Sequence, residues 1–180
     1  MKSLLVAILV AAVAWFYLID GSKLDEAMVH EFYEQQSHHT YARDPRALCD
    51  QMGRNVSVRI TGHLGGQTTT ASYDRAAACL QFKNQFKFFE EMGEKAGGIL
   101  TIEYSYEINH LELASNRKSA TVQVTSTLKM GEEFMQLYSD STERLERSLR
   151  KVQLVNADAQ VRMRWTPGAI VHPERYFQAQ

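Results

Sequence analysis

The sequence predicts an α+β domain in which three helices pack in a strongly bent antiparallel sheet, preceded by one hydrophobic amino-terminal helix. Three observations predict this class. An uncharged apolar run opens the chain, helical periodicity appears in three segments before residue 97, and two-residue alternation dominates everything after residue 100.

The opening run, Leu4 to Ile19, is sixteen residues without a charge or helix breaker, apolar on every face rather than along one stripe. Such a segment suits a membrane or a translocon. Ala12-Val13-Ala14 fits the small-x-small rule of a signal-peptidase site, but cleavage there leaves a mature chain beginning Trp-Phe-Tyr. The run is slightly shorter than the ~17–25 residues that span a bilayer core, with Trp15 and Tyr17 placed as interfacial residues and Gly21-Ser22 as a soft exit. Residues 1–22 are therefore expected to be an uncleaved membrane anchor, with secretion after cleavage as the alternative. Lys2 and the amino group precede the run, and Asp20, Lys23, Asp25 and Glu26 follow it. The positive flank puts the body outside the cytoplasm, as a single-pass protein of the inner membrane facing the periplasm.

The first helix of the body is expected from Leu24 to Ala42, on a stripe of Leu24, Ala27, Met28, Phe32 and Tyr33. At Asp44-Pro45 it stops and a second helix starts at once. Asp44 is a helix cap, and Pro45 sits at the first helical position, where its missing N–H costs nothing. This short helix ends near Met52. Val56, Val58 and Ile60 alternate with polar residues in a half-buried strand over 55–63, Leu64-Gly65-Gly66-Gln67 is a turn, and Thr68 to Ser72 is the return leg. Ser72 is expected to cap a helix from Tyr73 to about Ala96, with Cys79, Phe82, Phe86, Phe89 and Gly93 on one face and Gly97-Gly98 as the stop.

Four long meandering strands follow. Ile102, Tyr104, Tyr106 and Ile108 alternate with polar residues, as do Val122, Val124, Ser126 and Leu128, and two further runs end at Trp165. A body of residues 23–166 and a loosely attached tail at 167–180 account for the remainder, without repeats.

The order of these elements, and the stretches FYEQQSHHTYARDPRALCDQM, NVSVRI and VRMRW, resemble the nuclear transport factor 2-like superfamily, in particular its SnoaL-like members. The resemblance implies a cone with an internal pocket. Relatives of ketosteroid isomerase and scytalone dehydratase use that pocket for catalysis, and others use the fold as a binding or assembly module.

The residues narrow the choice. An isomerase of that type needs a carboxylate base near the first strand, yet Asn55 to His63 contains none, and Asp50 precedes it at a helix end. Tyr104, Tyr106 and His110 share a strand face with Ile102 and Ile108, and are the candidate ligand-binding groups. His38 and His39 are adjacent on a helix and point about 100° apart, so they do not chelate one ion and read as surface residues. No phosphate-cradling or nucleophile-elbow motif occurs. A net charge of -1 without long basic runs excludes a nucleic-acid footprint. No cofactor or metal is expected. Cys49 and Cys79, each beside apolar residues on separate helices, are either a disulfide worth about 3 kcal/mol or two buried thiols.

The sequence thus points to a membrane-anchored extracytoplasmic domain without catalytic residues. It would bind a small hydrophobic ligand or an envelope protein, or pair with a second copy through its outer sheet face. The alternative is a small-molecule isomerase or dehydratase using the cone pocket.

Overall fold

Asp25 opens the first helix by accepting a hydrogen bond from the Met28 N–H, and the helix, α1, runs Glu26–Tyr41. The computed structural model describes residues 23–64, 66–95, 101–130, 135–148 and 151–165. The predicted anchor, the Gly97-Gly98 stop and the tail lie outside these residues, and no helix among them is long and apolar enough to cross a membrane. The buried stripe of α1 is Val29, Phe32 and Tyr33, following a buried Leu24. Ala27, expected on that stripe, is exposed, and Val29 takes its place.

The corner behaves as its chemistry requires. Arg43 adopts a positive φ of 52°, which turns the chain out of α1. The Asp44 carboxylate then accepts from the N–H groups of Arg46 and Ala47, and α2 runs Pro45–Asp50. Replacing Asp44 by alanine is expected to cost about 1 kcal/mol, read as a lower urea midpoint at unchanged slope.

Strand β1 (Met52–Leu64) turns through Gly66, whose φ of +84° favours glycine, into β2 (Gln67–Tyr73). The third helix, α3, spans Arg75–Lys95. Its cap is Asp74, which accepts from the Ala77 N–H, whereas Ser72, expected in that role, remains in β2 opposite Arg59. Asp74 takes the cap because β2 runs through Tyr73, one residue beyond the expected return leg, so the helix starts at Arg75. Arg75 ties α3 to the end of α2 by donating to the carbonyl oxygens of Cys49 and Met52. Cys49 and Cys79 form a disulfide between α2 and α3, with Cα atoms 5.4 Å apart.

Strands β3 (Ile102–Leu113), β4 (Ser119–Met130), β5 (Met135–Ser148) and β6 (Lys151–Trp165) form the antiparallel meander. The six-stranded sheet has the order β2-β1-β6-β5-β4-β3, with β1 parallel to β6. Its inner face carries two apolar clusters. The larger joins Val29, Phe32 and Tyr33 of α1 to Val56, Val122, Val124, Leu145 and Leu154 of the sheet. The smaller gathers Leu48, Phe86, Phe89, Met130 and Met135. The fold is therefore α+β, a mostly curled sheet with a few helices against one face.

Candidate functional site

Strand alternation and register carry polar groups into the interior between the two clusters. On β5, Met135, Leu137, Ser139, Ser141, Glu143 and Leu145 share a face, because Met135 and Leu145 at its ends are buried and side chains alternate. Glu143 sits opposite buried Val122 on β4 and buried Ala157 on β6, so its carboxyl points inward. Ser126 of β4 lies between Tyr106 of β3 and Ser139 of β5 on the same face. Tyr104, Tyr106, Ser126, Ser139, Ser141 and Glu143 are all half-buried, flanked by the fully buried residues of the two clusters. This band is where the inner face retains accessible surface.

Glu143 is the chemical centre of the band. Its Oε2 accepts from the Tyr33 hydroxyl at 2.9 Å, and its Oε1 accepts from Ser141 Oγ at 2.9 Å. Burial pushes its pKa above the ordinary carboxylate range, while the hydrogen bonds from Ser141 and Tyr33 pull it back only in part. Burial, reinforced by the charge of Glu143, also raises the phenols of Tyr33 and Tyr104, and a hydrogen bond from Ser126 opposes the rise at Tyr104. Tyr106 is raised by burial and by Glu34. All three phenols stay protonated at neutral pH. Their rings form a chain, with Tyr33 and Tyr106 centroids 5.7 Å apart and Tyr106 and Tyr104 centroids 6.4 Å apart.

Tyr104 and Tyr106 thus lie together on the inner face, as their alternation implied, and His110 does not join them. The β3–β4 register shifts between Ile108 and His110, and after that bulge Leu111 and Leu113 turn inward while His110 is exposed. Asp50 is also exposed, 3.8 Å from Arg75, so it supplies no interior base. Two residues absent from the predicted site complete it: Tyr33, read only as core, and Glu143. The two-residue count from Met135 through Leu137 to Leu145 places Glu143 inward. No group of three or more metal-ligating side chains occurs among the described residues.

Chemically, the band offers phenolic hydroxyls and one carboxyl that keeps its proton to higher pH than a surface glutamate. Such a set can hydrogen-bond a carbonyl or hydroxyl group of an otherwise apolar molecule. A carboxyl whose pKa is raised by burial also holds its proton to higher pH than a solvated one, which suits it to donate a hydrogen bond or a proton.

Comparison with solved structures bears on the fold. The chain is similar to a nuclear transport factor 2-like protein of unknown function from Silicibacter pomeroyi, at a TM-score of 0.51 and 12% identity over 76% of this chain and 94% of that one. The fold is nuclear transport factor 2-like. Two further structures agree: a conserved protein from Planctomyces limnophilus (TM-score 0.56, 15% identity, 76% of this chain and 95% of that one) and a nuclear transport factor 2-like protein of unknown function in nutrient uptake from Rhodospirillum rubrum (0.50, 13%, 74% and 97%). No family model matches the sequence, and no curated protein does. At these identities the shared nuclear transport factor 2-like property is the fold, and function rests on the site itself.

Proposed function

We propose that this domain binds a small, largely apolar molecule inside the cone, gripping a carbonyl or hydroxyl group through Tyr104 and Glu143, with the buried Tyr33 holding the Glu143 carboxyl in place and Tyr106 as an aromatic wall. One observation carries the proposal: the Glu143 carboxyl stands inward on a half-buried part of the sheet, held by Tyr33 and Ser141, where burial favours its neutral form. A purely structural interior has no need of a carboxyl there, because replacing it with an apolar residue would avoid the desolvation cost. His110, expected among the ligand groups, has no part in this reading.

The domain works, in this reading, as a membrane-anchored binding module outside the cytoplasm. The apolar run at residues 4–19 supports the anchor, and the Cys49–Cys79 disulfide supports an oxidising compartment such as the periplasm. The second reading, an isomerase or dehydratase, is favoured by the raised pKa of Glu143, which suits a general acid or base.

Small neutral ketones and hydroxyaromatic compounds, screened by thermal unfolding of the full chain, test the proposal. A binder present at 100 times its dissociation constant should stabilise the protein by about 2.7 kcal/mol. The double variant Tyr33→Phe, Glu143→Gln should lose that stabilisation while remaining folded. Failure of every compound to stabilise, together with no small molecule released on denaturing the purified chain, would contradict it. Turnover of any binder that Glu143→Gln abolishes would establish the second reading.

A further inference from the structure

We infer that the groove between α1, α2 and the β5–β6 hairpin is a second binding site, for a short zwitterionic peptide whose ammonium end meets Glu31 and Asp50 and whose carboxylate end meets Arg147 and Lys151. The groove shares no residue with the band around Glu143, so this site stands or falls apart from the cone pocket.

The groove follows from how the three elements meet. Met28, Glu31 and Gln35 recur at helical spacing along one face of α1, Asp50 and Gln51 close α2, and Arg147 and Lys151 stand on the hairpin. It encloses about 530 Å³, within the range of sites for small organic ligands and too large for an ion or a single water.

Both signs of charge line it, and they are divided by element. The acids come from the helices and the bases from the hairpin. No carboxylate of the described residues pairs with Arg147 or Lys151. The acids are engaged only from the helix side: Glu31 Oε1 accepts from Gln35 Nε2 at 3.0 Å, and Asp50 stands 3.8 Å from Arg75. Opposite charges held apart around open space complement a ligand that carries both signs, and a peptide with free ends carries one at each end.

Two hydrogen-bonding groups in the same groove lack partners. Gln51 Nε2 donates to the Phe32 carbonyl at 3.3 Å, which leaves Gln51 Oε1, an acceptor, buried with nothing to accept. Arg147 Nη1 donates to the Lys23 carbonyl and to the Met28 sulfur, which leaves the Arg147 Nε–H, a donor, buried with nothing to receive it. Buried polar groups are nearly always paired, and these two are the exceptions among the side chains of the described residues. Both belong to flexible side chains that line the groove, so a small rotation presents them to an occupant. One donor and one acceptor are missing, and a peptide group supplies both through its N–H and its C=O.

Isothermal titration calorimetry of the full chain with trialanine, N-acetyl-trialanine and trialanine amide tests the site. Trialanine should bind, and each blocked form should bind at least about tenfold more weakly, because each loses one charge-assisted contact. Lys151→Glu should weaken trialanine binding by a similar factor, whereas Lys151→Arg should keep it. Lys151 is exposed at the start of β6, so thermal unfolding of both variants should match that of the native chain. The backbone N–H signals of Gln51 and Val152 should shift in NMR spectra as trialanine is added. No heat from any of the three peptides would overturn the site, as would equal affinities for all three or binding indifferent to Lys151→Glu.

Discussion

Breaking the Cys49–Cys79 bond, by reductant or by the paired substitutions Cys49→Ser and Cys79→Ser, is expected to lower stability by about 3 kcal/mol. The bond joins residues 30 apart in sequence, and in the chain-entropy description opening a loop of that length frees the unfolded ensemble by about this amount. The loss has a specific place to fall. Cys49 precedes the end of α2, and Cys79 packs against the larger apolar cluster at the start of α3. Without the bond, α2 is held by Arg75, whose hydrogen bonds run to the Cys49 and Met52 carbonyls, and by Leu48 in the smaller cluster. Urea unfolding with and without reductant measures the difference. Equal midpoints would show that the two cysteines contribute nothing as a pair.

The second large effect is a pH dependence centred on Glu143. Its folded-state pKa is raised above the unfolded value, chiefly by burial, so between the two values the folded chain holds a proton that the unfolded chain releases. Its stabilising contribution is complete below the unfolded pKa and is lost as pH rises through the folded one. Glu143→Gln removes the titration while keeping an acceptor for Tyr33. Ser141 can then accept from the new amide and donate to the Val124 carbonyl, 3.4 Å from its Oγ. The stability of the variant relative to the native chain should therefore rise with pH above the ordinary carboxylate range, by up to about 1.4 kcal/mol per pH unit within the window. A difference that stays constant across the acid-to-neutral range would contradict the shift. Tyr33 and Tyr104 do not confuse the measurement, because their pKa values are raised from an already alkaline starting point.

Much of the fold was legible because its signals are local. The Asp44-Pro45 corner needs only a cap and a fixed φ, and both act within three residues. The four meander strands show in their alternation, since one inner face must be apolar to pack on helices. The parallel pairing of β1 with β6 was not legible, because nothing local says which distant strand lies beside β1. The site was legible in part. Tyr104 and Tyr106 follow from alternation, but His110 was misplaced by extending that alternation through the bulge at Asn109. The phase change is written in the sequence, where apolar positions move from Ile108 to Leu111 and Leu113. Glu143 escaped notice because a glutamate in Thr-Glu-Arg-Leu-Glu-Arg looks like one charge among several, and only the phase set by Met135, Leu137 and Leu145 turns it inward.

Carbon-13 NMR of the Glu143 side-chain carboxyl in the full chain, assigned by its absence in Glu143→Gln and followed through a pH titration, tests the central claim most directly. A midpoint above the usual glutamate value of about 4.3, moving further when a ketone or hydroxyaromatic compound binds, is the predicted result. A midpoint at or below that value, indifferent to every such compound, would show that Glu143 is an ordinary solvated carboxylate and that the cone is not built around it.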